Sequence, residues 1–275
     1  MRNSTVLLTF DLEEFDIPNE YGSNLSWDEQ LIVGRQGMLA VSEVLNHHKI
    51  PVTIFTTAAY ALENRQQMLS LSQEHEIASH TFYHSSYHDD DLLHSKNTLE
   101  EITGKRIFGL RMPRMKPVDM SLVMLAGYTY DSSINPTYIP GKYNNTHLPK
   151  KLYVEKGVYR YPCSVSPNFR IPLFWLAFKN FPYFLYKKIA VDTLKTYGYL
   201  NLYFHPWEFT DISRYKLPGY VKKDSGNKLV EKLHRLIKDL TKEGSFDTMN
   251  NFLQHMVQSE ATMNYFEKAG NELKA

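Results

Sequence analysis

The sequence predicts an α/β protein built as an irregular parallel barrel of about seven strand–helix units. Two observations support this prediction. Short apolar or β-branched runs alternate with longer segments of helical periodicity, as in chains that form parallel sheets. Polar and charged residues follow the strands at their C-terminal ends, which share one face in a parallel β/α barrel. An open doubly wound sheet is the competing architecture.

Four strand–helix units are predicted in the first half of the chain. The first helix opens at Ser26 and Asp28 and keeps apolar residues at helical spacing as far as Lys49. Gly104 ends the third helix, since glycine is common just past a helix C-terminus. The predicted strands are residues 6–8, 52–55, 76–80 and 107–110, and the predicted helices are residues 26–49, 59–75, 89–103 and 118–126.

The second half of the chain is less regular. It contains a long aromatic helical region that reaches Tyr197 and one strongly amphipathic helix near the C-terminus. The tail after Gln258 is expected to fray. The predicted segments are strands at 128–133, 158–164, 200–204 and Phe246, a Pro-, Asn- and Gly-rich loop at 135–150, and helices at 229–240 and 248–257.

Composition excludes several function classes. The 275 residues suffice for one large α/β domain or two small ones, and the formal net charge of +1 argues against nucleic acid as a partner. No apolar span approaches the length of a transmembrane helix. The single cysteine, Cys163, is expected to be a buried small apolar residue rather than a nucleophile. The N-terminus lacks the apolar region of a signal peptide, so a cytoplasmic protein is expected.

Residues 171–188 combine aromatic and basic side chains. Such a segment could lie against lipid headgroups at a membrane surface. The favoured interpretation is a core helix with a lysine at its end. Peripheral membrane contact is kept as the alternative.

Two histidines four positions apart, His80 and His84, provide half of a metal site. A divalent ion held for hydrolysis usually takes a third protein ligand and keeps a position open for water. Asp11 and Glu13 follow an apolar strand and point to the same side of it, so both can enter one pocket. One carboxylate could hold the metal while the other takes protons from water.

The reactive side chains share one position in the predicted fold, because each lies at or just beyond the C-terminal end of a strand. The C-terminal face of a β/α barrel is where active sites are built. The candidate site residues are Asp11, Glu13, His80, His84, Arg111, Asp131 and His205.

Taken together, these segments resemble the polysaccharide deacetylase superfamily, the NodB homology domain of carbohydrate esterase family four. The resemblance covers about residues 5–257 and implies a single NodB-like catalytic domain over residues 1–275, with a C-terminal tail at 258–275. The wording of the motifs is closest to the allantoinase-like and exopolysaccharide-associated branch. The motifs occur in the family's order as Thr9-Phe10-Asp11, His80-Thr81-x-x-His84, Arg111-x-Pro113, Asp131-x-Ser133 and Leu202-x-x-His205.

The resemblance implies a metal-dependent hydrolase of C–N amide bonds that acts on a carbohydrate. The metal, most often zinc with cobalt, nickel or iron as alternatives, is held in this family by a motif-one carboxylate and both motif histidines. The implied general base is Asp11, oriented by Arg111, and the implied general acid is His205. A backbone N–H near Arg114 would be an oxyanion donor.

Two departures from the family pattern affect the assignments. The usual second aspartate is replaced by Leu12, so Glu13 is the substitute metal ligand. The Asp-Trp pair that many relatives carry after the fourth motif is replaced by Ile134-Asn135. Either Asp131 or Glu208 could then orient the acid histidine, and Asp131 is preferred.

Three other functions are kept in view. An allantoinase-like enzyme would hydrolyse a small non-peptide amide, and a non-catalytic relative would only bind carbohydrate. His88 and Asp90 have the spacing of an iron oxygenase, although that motif belongs to jelly-roll folds. Tyr83 and Trp207 could form the floor of a sugar site or simply pack in the interior.

Overall fold

The computed structural model describes residues 4–258. The tail that is expected to fray lies outside the described residues. The described strands are β1 (Thr5–Leu12), β2 (Thr53–Thr56), β3 (Glu76–Ser79), β4 (Gly109–Leu110), β5 (Tyr130–Asp131), β6 (Tyr138–Ile139), β7 (Tyr143–Asn144), β8 (Tyr153–Glu155), β9 (Val158–Arg160), β10 (Tyr199–Phe204) and β11 (Ser245–Phe246).

Helices follow most of these strands. Short 3₁₀ turns lie at Ile17–Tyr21, Pro113–Met115 and Pro206–Phe209. The α-helices are α1 (Trp27–His48), α2 (Ala58–Glu63), α3 (Arg65–Glu74), α4 (Asp91–Thr103), α5 (Met120–Leu125), α6 (Trp175–Asn180), α7 (Tyr183–Tyr197), α8 (Gly219–Lys222), α9 (Asn227–Leu240) and α10 (residues 249–258).

One curled parallel sheet organises the molecule and confirms the barrel prediction over the open doubly wound sheet. Its strand order is β10-β1-β2-β3-β4-β5-β9-β8, and all neighbours are parallel except the final β9–β8 pair. Beyond β9 the chain reaches back to β10, where the Ser164 N–H donates to the Asn201 carbonyl at 2.9 Å. The sheet therefore forms an irregular half-barrel whose strand C-termini face one side.

Alternation along β1 shows how the sequence fills both sides of this sheet. Val6, Leu8 and Phe10 join the large core under the surrounding helices, whereas Leu7 packs in a smaller cluster inside the curl. Thr9 and Asp11 point to the same side of β1 as Leu7 but lie nearer the end of the strand, and both are buried. The inside of the half-barrel is thus apolar at one end and polar at the other.

Several predicted boundaries are wrong in detail. The predicted helix at 59–75 is two helices, because the chain breaks at Asn64. The predicted loop at 135–150 contains the β6–β7 hairpin, and β8 was not predicted. Strands of two or three residues carry too little periodicity to be recognised from sequence.

The aromatic segment at 171–188 divides between α6 and α7. Lys179, the expected helix-end lysine, is completely buried, whereas Phe184 is 73% exposed beside the exposed Lys188. A core role holds for one part of the segment only, and membrane contact stays a prediction. No helix within residues 4–258 is both long and apolar enough to cross a membrane.

Candidate active site

A cavity of about 520 Å³ opens at the C-terminal ends of the parallel strands. It lies where parallel β/α barrels place their sites. The ends of β1, β3 and β10 and the loops that follow them supply its carboxylates and histidines of interest, and the start of α6 supplies aromatic surface. Its lining includes Asp11, Glu13, His80, His84, His205 and Trp175.

Three of these side chains converge on one point. The Oε2 atom of Glu13 lies 3.1 Å from Nε2 of His80 and 3.2 Å from Nε2 of His84. All three residues are buried, and their ligand atoms lie within 4.8 Å of one another. The two histidines reach this point from a loop rather than a helix, since the chain turns at Thr81 with a φ of 64°.

The opposite nitrogen of each ring is already engaged. His80 donates its Nδ1–H to the Arg111 carbonyl at 2.7 Å, and His84 donates its Nδ1–H to Asp16 at 2.7 Å. Both Nε2 atoms are therefore left to face the Glu13 carboxylate. Such outer partners fix the ring orientation of metal-binding histidines. A set of two imidazole nitrogens and one carboxylate fits a divalent ion such as zinc, with positions left for water.

The charges of these groups depend on one another. Burial alone would raise the pKa of Glu13, but the neighbouring His84, His205 and His80 lower it far below its usual value. Burial alone would lower the pKa of His84, but Glu13 and Asp16 raise it above its usual value. Glu13 is therefore held as a carboxylate, which is the form that can bind a metal ion.

Asp11 lies beside this group and is held by Arg111. Arg111 Nη1 donates to Asp11 Oδ1 at 2.6 Å and to the Thr9 hydroxyl at 2.9 Å. The guanidinium is completely buried and lies over the Phe55 ring at 4.1 Å. Its Nε and Nη2 atoms donate to the carbonyl and the hydroxyl of Ser132. Arg111 is therefore held in place, and it orients Asp11.

His205 lies next to Asp11 in the cavity, with its Nε2 atom 4.0 Å from Asp11 Oδ2. On its other side it donates Nδ1–H to Glu208 at 3.1 Å, while its backbone N–H donates to the same oxygen at 2.8 Å. Burial by itself would lower the pKa of His205, but Glu13, Glu208 and Asp11 raise it above its usual value. The Nε2 atom is thus the one that faces the cavity.

The preference for Asp131 as the residue that orients His205 is wrong. Asp131 accepts a hydrogen bond from Arg160 Nε at 2.9 Å and from the backbone N–H of Ser133 at 3.1 Å. It is completely buried, and burial raises the pKa of its carboxyl group. Glu208 has the place against His205, because it lies on the same 3₁₀ turn as that histidine. A catalytic role for Asp131 stays a prediction.

The segment around Arg114 has an unusual backbone. Arg114 and Met115 have φ values of 55° and 54°, which non-glycine residues rarely adopt. The Arg114 side chain holds the segment in place by donating to Asp16 at 3.0 Å, to Glu20 at 2.7 Å and to the His84 carbonyl at 2.8 Å. The oxyanion role of a backbone N–H here stays a prediction.

Sequence reasoning missed one contributor to the site and left the roles of two aromatic residues open. Asp16 was not singled out, although it ends the acidic run that begins at Asp11 and binds both His84 and Arg114. Trp207 was considered as a sugar platform, but it is buried and donates Nε1–H to Glu13 at 3.1 Å. Tyr83 is partly exposed and packs on Trp27 instead.

The oxygenase hypothesis finds no support in the part of the chain that the structure describes. A facial triad requires a third ligand near His88 and Asp90. Neither residue belongs to a described group of three metal-ligating side chains.

Comparison with known proteins supports the family resemblance. Residues 1–130 match the family model for polysaccharide deacetylase. A search of curated proteins gave no match. The matched residues include Asp11, Glu13, His80, His84 and Arg111. Asp131, His205 and Glu208 lie beyond them.

Solved structures resemble this chain over nearly its whole length. A protein from Mycobacterium smegmatis described as a polysaccharide deacetylase has a TM-score of 0.65 at 16% identity, covering 94% of this chain and 92% of its own. Puue allantoinase gives 0.65 at 19% identity, covering 91% and 89%, and a protein from Pseudomonas aeruginosa PAO1 described as a polysaccharide deacetylase gives 0.65 at 17%, covering 91% and 90%. At these identities the likeness supports the fold.

Proposed function

We propose that the protein is a metal-dependent N-deacetylase of an N-acetylated sugar, because residues 1–130 match the family model for polysaccharide deacetylase. The substrate would be a glycan or a glycan precursor. One observation carries the proposal: the Glu13, His80 and His84 ligand atoms converge in the same cavity as Asp11 and His205. A cation site, a base and an acid are the three parts that amide hydrolysis at neutral pH requires.

Glu13, His80 and His84 are the proposed ligands of the divalent ion. When bound, this ion would polarise the amide carbonyl and make its attack by water easier. The role of the chain is to keep both Nε2 lone pairs directed inward, which the bonds to Arg111 and Asp16 do. The Trp207 indole fixes the second oxygen of Glu13.

Asp11 is the proposed general base. Its Oδ1 atom is occupied by Arg111, so Oδ2 is the oxygen that can take a proton from the attacking water. The planar guanidinium of Arg111 keeps the Asp11 carboxylate in a single orientation. Asp11 lies on β1, which orders it before substrate arrives.

His205 is the proposed general acid, because an amine leaves readily only after it has been protonated. The ring is held through Nδ1 by Glu208, which leaves Nε2–H to deliver the proton in the cavity. The neighbouring carboxylates raise the pKa of His205, which favours the protonated form that an acid requires. Asp11 Oδ2 and His205 Nε2 are separate groups 4.0 Å apart, so one can serve the water and the other the leaving group.

The proposed catalytic unit extends well beyond the matched segment, to about residue 257. His205 and Glu208 come from β10 and the turn after it, outside residues 1–130. β10 also pairs with β1 along six residue pairs, from Thr5 with Tyr199 to Phe10 with Phe204, so the two halves of the site rest on adjacent strands.

A small non-peptide amide is the second candidate substrate. The observation in its favour is the structural likeness to Puue allantoinase, which equals the likeness to the two proteins described as deacetylases. The hypothesis of a sugar substrate is supported by the aromatic residues that line the cavity. Trp175 and Tyr143 line the cavity and could pack against a sugar ring.

Acetate release tests the proposal directly. Purified protein supplied with zinc, cobalt or nickel should release acetate from N-acetylhexosamine oligomers or lipid-linked N-acetyl sugars, and Asp11→Asn should lose this activity. Ammonia or urea release from small amides alone would establish the second candidate. Binding of oligomers without any hydrolysis would identify a non-catalytic carbohydrate-binding protein and overturn the proposal.

A further inference from the structure

A second histidine cluster lies away from the proposed active site. His47 and His48 end α1, and His234 lies on α9. Helix α1 starts after the C-terminal end of β1 and returns to the start of β2, so its last residues lie at the opposite end of the barrel from the cavity. None of these residues lines that cavity or takes part in the proposed reaction.

The three rings are packed against one another. The ring centroids are separated by 4.9 Å for His47 and His48, 5.3 Å for His47 and His234, and 5.1 Å for His48 and His234. The Nε2 atom of His48 lies 3.0 Å from Nδ1 of His234. One ring nitrogen from each histidine lies within 4.8 Å of the other two.

A hydrogen bond between two imidazoles accounts for only part of this arrangement. It explains the contact of His48 with His234 but gives no reason for the third ring to join them. Two nitrogen ligands of one zinc ion, each at about 2.0–2.1 Å from it, are separated by about 3.3–3.5 Å in a tetrahedral site. The 3.0 Å separation is close to this value, and the exposed His47 already has a ring nitrogen within 4.8 Å of both.

The position at a helix end also favours a cation. His47 and His48 occupy the last turn of α1, where the helix dipole favours positive charge. Lys238 acts against binding, since its charge lies close enough to lower the pKa of His48.

We propose that His47, His48 and His234 form a second metal site for a transition metal of the zinc type. Three imidazoles with one position left for water suit zinc, nickel or copper rather than magnesium or calcium. Such an ion would connect α1 to α9 across 186 residues of sequence. Metal bound only by the folded chain raises its stability by mass action.

Metal stoichiometry tests this site separately from the proposed activity. Untagged protein is stripped with chelator and then titrated with zinc at micromolar free concentration, with bound metal counted by elemental analysis. The wild type should bind two equivalents. His47→Ala should bind one, and so should His234→Ala, which covers the case in which one variant folds poorly. His255→Ala is the matched control, because it removes a histidine outside the cluster and should still bind two.

Glu13→Gln distinguishes a failure of this site from a failure of the proposed function. It should lower metal affinity at the active site while leaving the equivalent at the histidine cluster. Zinc should also raise the Tm of Glu13→Gln, and should not do so once His234→Ala is added. A Glu13→Gln variant that binds no zinc, or two equivalents in His47→Ala, would overturn the three-histidine site.

Discussion

Lys179 and Glu208 form an ion pair that is completely withdrawn from solvent, with Nζ 3.6 Å from Oε2. Burial lowers the pKa of the lysine, and the carboxylate of Glu208 opposes that change. The other oxygen of Glu208 accepts from His205. The proposed acid histidine is therefore connected through one carboxylate to a buried cation on α6.

Replacing Lys179 should lower the free energy of unfolding. Lys179→Met keeps the length of the side chain but leaves the Glu208 carboxylate buried without its cation. Breaking a buried pair on one side typically costs about 3–5 kcal/mol, so the free energy of unfolding in urea should fall by that order. The double variant Lys179→Met/Glu208→Gln should recover much of the loss, since no charge is then left unpaired. A single variant as stable as wild type would contradict the dependence.

Glu208→Gln should shift the pH dependence of turnover. A general acid works only while protonated, so activity falls as pH rises through its pKa. In the wild type the carboxylates around His205 raise this pKa above its usual value. Glutamine can still accept the same hydrogen bonds but carries no charge, so the basic limb of kcat should move to lower pH. A bound cation would neutralise Glu13 and leave Glu208 and Asp11 as the groups that raise the pKa.

The control for that profile is Glu20→Gln, which removes an exposed carboxylate at the cavity rim. Its basic limb should remain where the wild type has it. An unchanged profile in Glu208→Gln would mean that His205 is not the titrating acid or that Glu208 does not control it.

Cys163 should be unreactive in the native protein. The thiol is buried, and burial raises its pKa to about 12. It therefore stays protonated at pH 8, and the thiolate that reacts with disulfide reagents is nearly absent. Titration with such a reagent should give less than one thiol in native buffer and one thiol in guanidinium chloride. Rapid native reaction would contradict the burial of this residue.

Strand positions could be predicted from the sequence because they depend on local pattern. Apolar runs followed by polar residues placed Asp11, Glu13, His80, His84 and Arg111 correctly at strand ends. Residues two apart on a strand point the same way, so the sequence also predicted that Asp11 and Glu13 enter one pocket.

The supporting contacts could not be predicted in this way. Lys179 has the sequence appearance of a solvated helix end, and only the packing of α6 against the turn after β10 buries it beside Glu208. His234 and His48 are separated by 186 residues, so no local spacing marks their contact. The choice between Asp131 and Glu208 depended on a side-chain direction that the motif order does not contain.

The two carboxylates at the C-terminal end of β1, Asp11 and Glu13, should differ in their effect on metal content. Asp11→Asn removes the proposed proton acceptor but none of the proposed ligands. Its metal content should stay the same while turnover falls by about 100-fold or more, as expected for a lost general base. Asparagine also weakens the bond from Arg111, so the structure of this variant should be checked by its Tm.

Glu13→Gln removes a charged ligand from the point where His80 and His84 converge. Metal affinity at the active site should fall first, and excess metal should restore part of the activity if the geometry survives. Metal bound at the histidine cluster is subtracted by measuring both variants in the His234→Ala background. Loss of metal in Asp11→Asn with full metal in Glu13→Gln would exchange the roles of base and ligand. If neither change altered turnover, the amide-hydrolysis mechanism itself would fail.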